Sequence, residues 1–156
     1  MEKVRLIDVH CHLSDPSFEE DRDLVVKRAT EAGVVAIVSN SESLKDALEV
    51  IRLSERYKGI VFAAVGVHPM NLLTCNESFE KIREFITSNS KKIVAIGEVG
   101  LDYFYGKEEK EREAMKLFLK GFSKLSKELD LPIIVHSRSA GKYAIEIMKE
   151  MEVRKA

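Results

Sequence analysis

The residues of this chain that could do chemistry form a short set. Asp8-Val9-His10-Cys11-His12 places two imidazoles two positions apart. On an extended strand, residues i and i+2 share a side. His10 and His12 can therefore aim at one point while Cys11 turns away toward packing helices. Paired imidazoles suit Zn, Mn, Fe, Co or Ni, and a nearby carboxylate would complete an open catalytic site rather than a closed structural one. The plainer alternative is two hydrogen-bonded histidines at a strand end. Glu98 stands in Ile96-Gly97-Glu98-Val99-Gly100-Leu101-Asp102-Tyr103, between glycines that let a backbone bend and approach a ligand closely. It reads as a carboxylate bridging two cations, which two-metal hydrolases hold about 3.5–4 Å apart, or as a solvated glutamate beside a turn. In His136-Ser137-Arg138, His136 reads as a ligand, and Arg138 as an anion contact, a clamp on a ligand, or simply a solvated side chain. His68, in Gly66-Val67-His68-Pro69, could hydrogen-bond a substrate or cap the core. Asp102 could orient a ligand, bind water or cap the turn.

Positioning these groups requires particular elements. Five short apolar runs lie at residues 5–9, 34–38, 60–65, 93–96 and 133–135. Three are nearly continuous rather than alternating, which fits strands buried on both faces of a parallel sheet. Between them lie stretches with helical spacing. The first opens with the capping-box pattern Ser17-Phe18-Glu19-Glu20 and ends at Gly33. The second starts at Ser43 and sets Leu44, Ala47, Leu48 and Ile51 on one face. The third carries Phe79, Ile82 and Ile86. The fourth aligns Met115, Phe118, Phe122, Leu125 and Leu129 and stops before Pro132. The last, from about Ala140, uses Ala144, Ile147, Met148 and Met151. Strand and helix alternate five times, the pattern of a parallel sheet with right-handed crossovers. All four histidines fall just past a predicted strand, as do Asn40 and Glu98, and ligands bind at the carboxyl ends of such strands. Convergence of Glu98 and His136 on the rim that bears His10 and His12 favours a metal site. The period is about 32 residues, so eight units need about 256, the size of a (β/α)8 barrel.

Composition narrows the class. The 156 residues are 45% apolar and 33% charged with a formal net charge of −1, which excludes a disordered or collagen-like chain. No apolar run spans a membrane, and the N-terminus lacks the apolar stretch of a secretory signal. Near-neutral charge argues against nucleic-acid binding by Lys and Arg alone. Cys11 and Cys75 do not make a disulfide scaffold, and a cytoplasmic location is expected; both cysteines read as small packed hydrophobes. The charge runs at 107–113 and 149–155 read as solvated helix surface, and the methionines as core filling. Phosphate-loop, dinucleotide-fingerprint and nucleophile-elbow patterns are absent.

Four ordered motifs carry a resemblance across essentially the whole chain. They are Asp8-Val9-His10-Cys11-His12-Leu13, Gly66-Val67-His68-Pro69, Gly97-Glu98-Val99-Gly100-Leu101-Asp102-Tyr103 and Leu131-Pro132-Ile133-Ile134-Val135-His136-Ser137-Arg138. Together they resemble the TatD family, metal-dependent hydrolases with amidohydrolase-like barrels, many of them deoxyribonucleases. The resemblance implies a TIM-barrel type of α/β fold over residues 1–156, comprising the first five of eight strand–helix units. It implies a metal-ligand set of His10, His12, Glu98 and His136, with Glu98 as the catalytic bridge between two divalent ions (Mg, Mn or Zn). It places His68 and Arg138 near a substrate phosphate, and Asp102 is grouped with them as substrate-binding. DNA or another phosphodiester is the implied substrate. The family pattern continues through a sixth-strand His and an eighth-strand Asp that this sequence lacks. The expectations are therefore weak metal binding, impaired hydrolysis by this chain alone, and self-association through open strand edges. Two alternatives stay open: a hydrolase of small esters or amides, and a non-catalytic half-barrel acting by oligomerisation.

Overall fold

The computed structural model describes residues 4–74 and 77–156, and Cys75 lies outside them. Five parallel strands are present: β1 (Leu6–Cys11), β2 (Val34–Asn40), β3 (Val61–Ala64), β4 (Ile96–Asp102) and β5 (Ile133–Arg138). Six α-helices connect and follow them: α1 (Arg22–Glu31), α2 (Leu44–Arg56), α3 (Pro69–Thr74), α4 (Phe79–Ser88), α5 (Glu109–Leu129) and α6 (Gly141–Glu150). β1 pairs with β2 and β2 with β3, while β4 pairs with β5. A bridge between Ala64 and Ala95, with the bond from Val94 N to Ala63 O at 2.8 Å, joins the two groups in the order of the chain. This is the expected strand–helix alternation, laid out as an open curved sheet.

Local chemistry explains where the helices begin and end. Ser43 and Asp46 form a capping box at the start of α2. α5 runs for 21 residues and ends on Asp130 in the left-handed region, two residues before Pro132, since the residue preceding proline avoids helical geometry. The capping box expected at Ser17 and Glu20 does not form. Asp15 instead accepts from Ser17 N and caps one 3-10 turn at Pro16–Phe18, and α1 starts later, at Arg22. The six-residue helix α3 was not expected, because it is too short to show a helical period. Leu48, assigned to the buried face of α2, is 49% exposed; Val50 and Leu53 occupy that face with Ala47 and Ile51.

The strands also differ from their expected bounds. β4 lies at Ile96–Asp102 rather than 93–96, and β5 runs on through Arg138. His10 and His136 thus lie in the second halves of β1 and β5, and Glu98 is the third of the 7 residues of β4, none of them beyond a strand. Only β4 is buried along its whole length; Leu6, Ile7 and Val9 of β1 are mainly exposed. β1 is therefore not the two-face-buried strand of a closed parallel barrel. Among the described residues β1 pairs with no strand but β2, and on the outer edge of β5 Ile133 N donates to Lys155 O at 2.9 Å.

The main core lies between the sheet and its helices: Ile96, Val99 and Leu101 of β4 pack with Met115, Leu119, Phe122 and Leu125 of α5 and with Ile82, Ile86 and Ile147. A smaller cluster of Leu13, Val26, Ile37, Leu53 and Val61 supports β1 and β2, with Cys11 packed against it as expected. Burial, with Asp8 adding to it, pushes the Cys11 thiol up to about 11, so it stays protonated and unreactive near neutral pH. Among the described residues no helix is long and apolar enough to cross a membrane. Phe122 is fully buried and Leu117, on the same helix, is 69% exposed. Phe122→Ala should cost about 3–5 kcal/mol, and Leu117→Ala no more than about 0.5 kcal/mol, as read from urea denaturation midpoints.

Candidate metal centre

Two irregularities in the sheet aim the functional side chains. Three steps from Ile96 to Val99 oppose two from Ile133 to Val135, so β4 carries one extra residue at Gly97–Glu98. β1 carries another between Asp8 and Cys11, where β2 advances only from Ile37 to Ser39. An extra residue kinks a strand and re-aims its side chains. Glycine is required beside the kink. A Cβ on Gly97 would stand 2.7 Å from Cβ of Ile134, and one on Gly100 would overlap the carbonyl oxygen of His136.

Glu98 is the buried hub. Its Oε2 lies 3.4 Å from Nε2 of His10 and 3.4 Å from Nε2 of His12, while Oε1 accepts from Nδ1 of His136 at 2.7 Å. The expected convergence of His10 and His12 therefore holds, their rings meeting edge to face with centroids 5.1 Å apart. His136 is held at both ends, since Nε2 donates to Oδ2 of Asp102 at 3.0 Å. Asp102 is fully buried, and its Oδ1 accepts from the backbone N–H groups of Phe104 and Tyr105 at 3.0 and 2.9 Å. It both orients His136 and caps the turn, two roles offered as alternatives from sequence. Arg138 is half-exposed, with Nε 4.0 Å from Asp102 Oδ2.

His68 lies 3.2 Å through Nε2 from Nδ1 of His136. Its own Nδ1 accepts from Met70 N at 3.2 Å. That bond leaves the ring proton of neutral His68 on Nε2, the nitrogen that faces His136. Glu42, passed over in the sequence, also approaches: ligand atoms of Glu42, His68 and Glu98 all lie within 4.8 Å of one another. It stands two residues past the end of β2, where the rim rule that singled out Asn40 could have found it.

The charges are mutually compensated. Burial alone would raise the Glu98 carboxyl, but hydrogen bonds from His12 and His136 and the charges of His10 and His136 outweigh it and hold the group well below the usual carboxylate range. Asp102 is lowered in the same way: its burial is outweighed by the Tyr105 N–H and His136. The bond to Glu98 raises His136 and His12 against the opposing effect of burial. Burial, then the positive charge of His136, lowers His68.

The donor set fits a divalent cation. Ligand atoms of His10, His12 and Glu98 gather within 4.8 Å. Their 3.4 Å separations lie at the long end for hydrogen bonds and match the spacing of donors around a tetrahedral ion, which with bonds of about 2.0–2.1 Å stand about 3.3–3.4 Å apart. His12 Nδ1 faces the carbonyl of Asn40 at 3.1 Å. Such a bond fixes the ring and leaves Nε2 free to ligate. Asp102 is placed to do the same for His136. The model of a TatD-related deoxyribonuclease family matches residues 7–156. The chain belongs to the TatD family. A TATDN3 protein of Danio rerio is 41% identical over 159 residues, covering 96% of this chain and 59% of that protein. The deoxyribonuclease TATDN3 of Homo sapiens is 37% identical over 162 residues, covering 97% and 59%. The crystal structure of YjjV, a TatD homologue from Escherichia coli, superposes with a TM-score of 0.84 at 32% identity, covering 96% of this chain and 57% of that one. The chain thus shares the TatD-type barrel architecture and spans little more than half the length of the relatives it matches.

Protonation of the network sets the stability of the metal-free chain. Raised histidines stabilise below their unfolded value of about 6.5, and that contribution is lost as pH rises through their folded values. Lowered carboxyls stabilise above about 4–4.5 and lose that contribution as pH falls through theirs. With EDTA present, thermal unfolding should therefore give a higher Tm near pH 5.5 than near pH 8.5. His136→Asn should reduce that difference.

Proposed function

We propose that this chain carries a divalent-metal site for hydrolysing phosphodiester bonds, with DNA as the substrate class. The convergence of His10, His12 and Glu98 at a spacing suited to one cation carries the reading. His10, His12 and Glu98 would hold one ion, and Glu98 with His136 would hold a second. Magnesium, manganese or zinc bound there would lower the pKa of a coordinated water and offset charge on the phosphate. Asp102 fixes the His136 ring by its Nε2 proton, leaving Nδ1 as the ligating atom. His68 offers an N–H donor and Arg138 a cation at the same rim, both suited to phosphate oxygens. The name of the human relative, a deoxyribonuclease, supports DNA over small esters and amides.

We read residues 1–156 as one domain forming the first five of eight barrel units. The family match from residue 7 onward and the 57% coverage of YjjV support this reading. Three protein ligands for one ion and two for the other make for weak metal binding and slow hydrolysis by this chain alone. Exposed Leu6, Ile7 and Val9 on β1, an edge strand, favour self-association. Titration of Mn²⁺ into the EDTA-stripped chain should give measurable binding that Glu98→Gln weakens by roughly 100-fold or more, beyond the 10–100-fold typical of ligand-supporting residues. Slow cleavage of a labelled single strand should disappear with EDTA and return with Mn²⁺. Cleavage indifferent to both EDTA and Glu98→Gln would overturn the proposal.

A further inference from the structure

The turn after β4 presents two large rings to solvent at the rim of the metal centre. Phe104 and Tyr105 are 55% and 56% exposed, and their rings stand edge to face with centroids 4.8 Å apart. Neither ring is needed to make the turn. Asp102 Oδ1 holds it through backbone N–H groups that any non-proline residue would supply, and Gly106 N closes it onto Asp102 O at 3.1 Å. The far side is braced by Arg112, whose Nε donates to Gly106 O at 3.0 Å while its guanidinium lies 4.6 Å from the centre of the Tyr103 ring. The backbone under the rings is therefore fastened at several points, and more than half of each residue remains open to solvent.

Position gives these rings a use. Asp102 grips this turn with one oxygen and His136 with the other, so the aromatic pair and a candidate metal ligand share one anchor. Arg138 bridges the gap: its Nε is 4.0 Å from Asp102 Oδ2, and its guanidinium lies 5.5 Å from the centre of the Tyr105 ring. Aromatic rings beside a cation, next to a site for phosphate chemistry, match the groups of an unpaired nucleotide: a flat base and the phosphate attached to it. A paired base is already stacked on both faces within a duplex, so such a platform selects an unpaired strand.

Resting on the phosphodiester reading above, we infer that Phe104 and Tyr105 form a stacking platform for a nucleobase flanking the phosphate held at the metal centre, with Arg138 contacting the intervening backbone. The platform holds a base by its face and is therefore tolerant of base identity.

Binding of a phosphorothioate single strand, which resists cleavage, tests this in the presence of Mn²⁺. One strand carries fluorescent 2-aminopurine next to the terminal linkage; a second carries an abasic spacer there. The chain should quench 2-aminopurine fluorescence and bind the intact strand about 5- to 150-fold more tightly than the abasic one, as expected for one stacked base. Phe104→Ala with Tyr105→Ala should abolish both the quenching and the preference while leaving affinity for the abasic strand unchanged. Phe104→Tyr and Tyr105→Phe, which keep the rings, should behave as the parent chain. Equal affinity for the two strands, or quenching that survives the double alanine variant, would overturn the platform while leaving the phosphodiester reading standing. Failure of the parent chain to bind either strand would overturn both.

Discussion

A buried carboxylate governs this half-sheet. Glu98 sits in the one strand that is covered along its whole length, where an isolated negative charge would be expensive to hold. Three histidines from two other strands make it tolerable: His10 and His12 on or just past β1 and His136 on β5. The requirement works in both directions. Without the histidines burial would raise the Glu98 carboxyl unopposed, and without Glu98 two of them would lose the partner that raises their basicity. Strands that are not neighbours in the sheet are thereby tied together at its carboxyl rim, while the hydrophobic core on the helix side holds them from behind. A cation at this site would take over a compensating role that protons fill in its absence.

Much of this was legible from residue order. The alternation of apolar runs with helical stripes yields five strand–helix units, and Pro132 marks the end of α5. The i, i+2 spacing of His10 and His12 predicts their convergence, which the structure realises even though an extra residue interrupts the ladder beside them. Glu98, His136, Asp102, Arg138 and His68 all meet at one rim, as the strand-end pattern suggests. The position of β4 was not legible, for a physical reason. The apolar run at 93–96 is the strongest local signal, whereas Gly97-Glu98-Val99-Gly100-Leu101-Asp102 has the glycines and acids of a loop. It becomes a buried strand because its glycines let neighbouring backbone approach and its acids find histidine and N–H partners, none of which lies within the segment itself. The Ser17–Glu20 pattern misleads for the converse reason: Asp15 offers a competing cap, and Arg22 Nε bonds back to Leu13 O at 2.8 Å, turning the chain before α1 begins. Glu42 reaches the site only through the packing of the loops after β2 and β3, where His68 N donates to its carbonyl at 2.9 Å.

The helix side and the open side of the sheet have different characters. Behind the sheet, α5 supplies four fully or nearly fully buried apolar side chains and β4 three more, enough for a continuous core. At the β1 edge, apolar residues face water and the ladder has a free side. The candidate site belongs to the well-supported region: Glu98, Asp102 and His136 all lie on the paired strands β4 and β5, and only His10 and His12 come from the exposed edge strand. Glu98, Asp102 and His136 are thus held between paired strands with the core behind them, whereas the imidazoles of His10 and His12 stand at a sheet edge.

The glycines flanking Glu98 carry a consequence for how such a site can change over generations. Gly97 and Gly100 are pressed against β5, Gly100 against its unyielding backbone. A new methyl group at Gly100 would require two paired strands to part. Exchanging a half-exposed candidate ligand such as His10 asks only that a single group be accommodated at an open rim. The imidazole edge of this rim is therefore where substitution finds room, and Gly100 is among the positions that heredity is least free to alter.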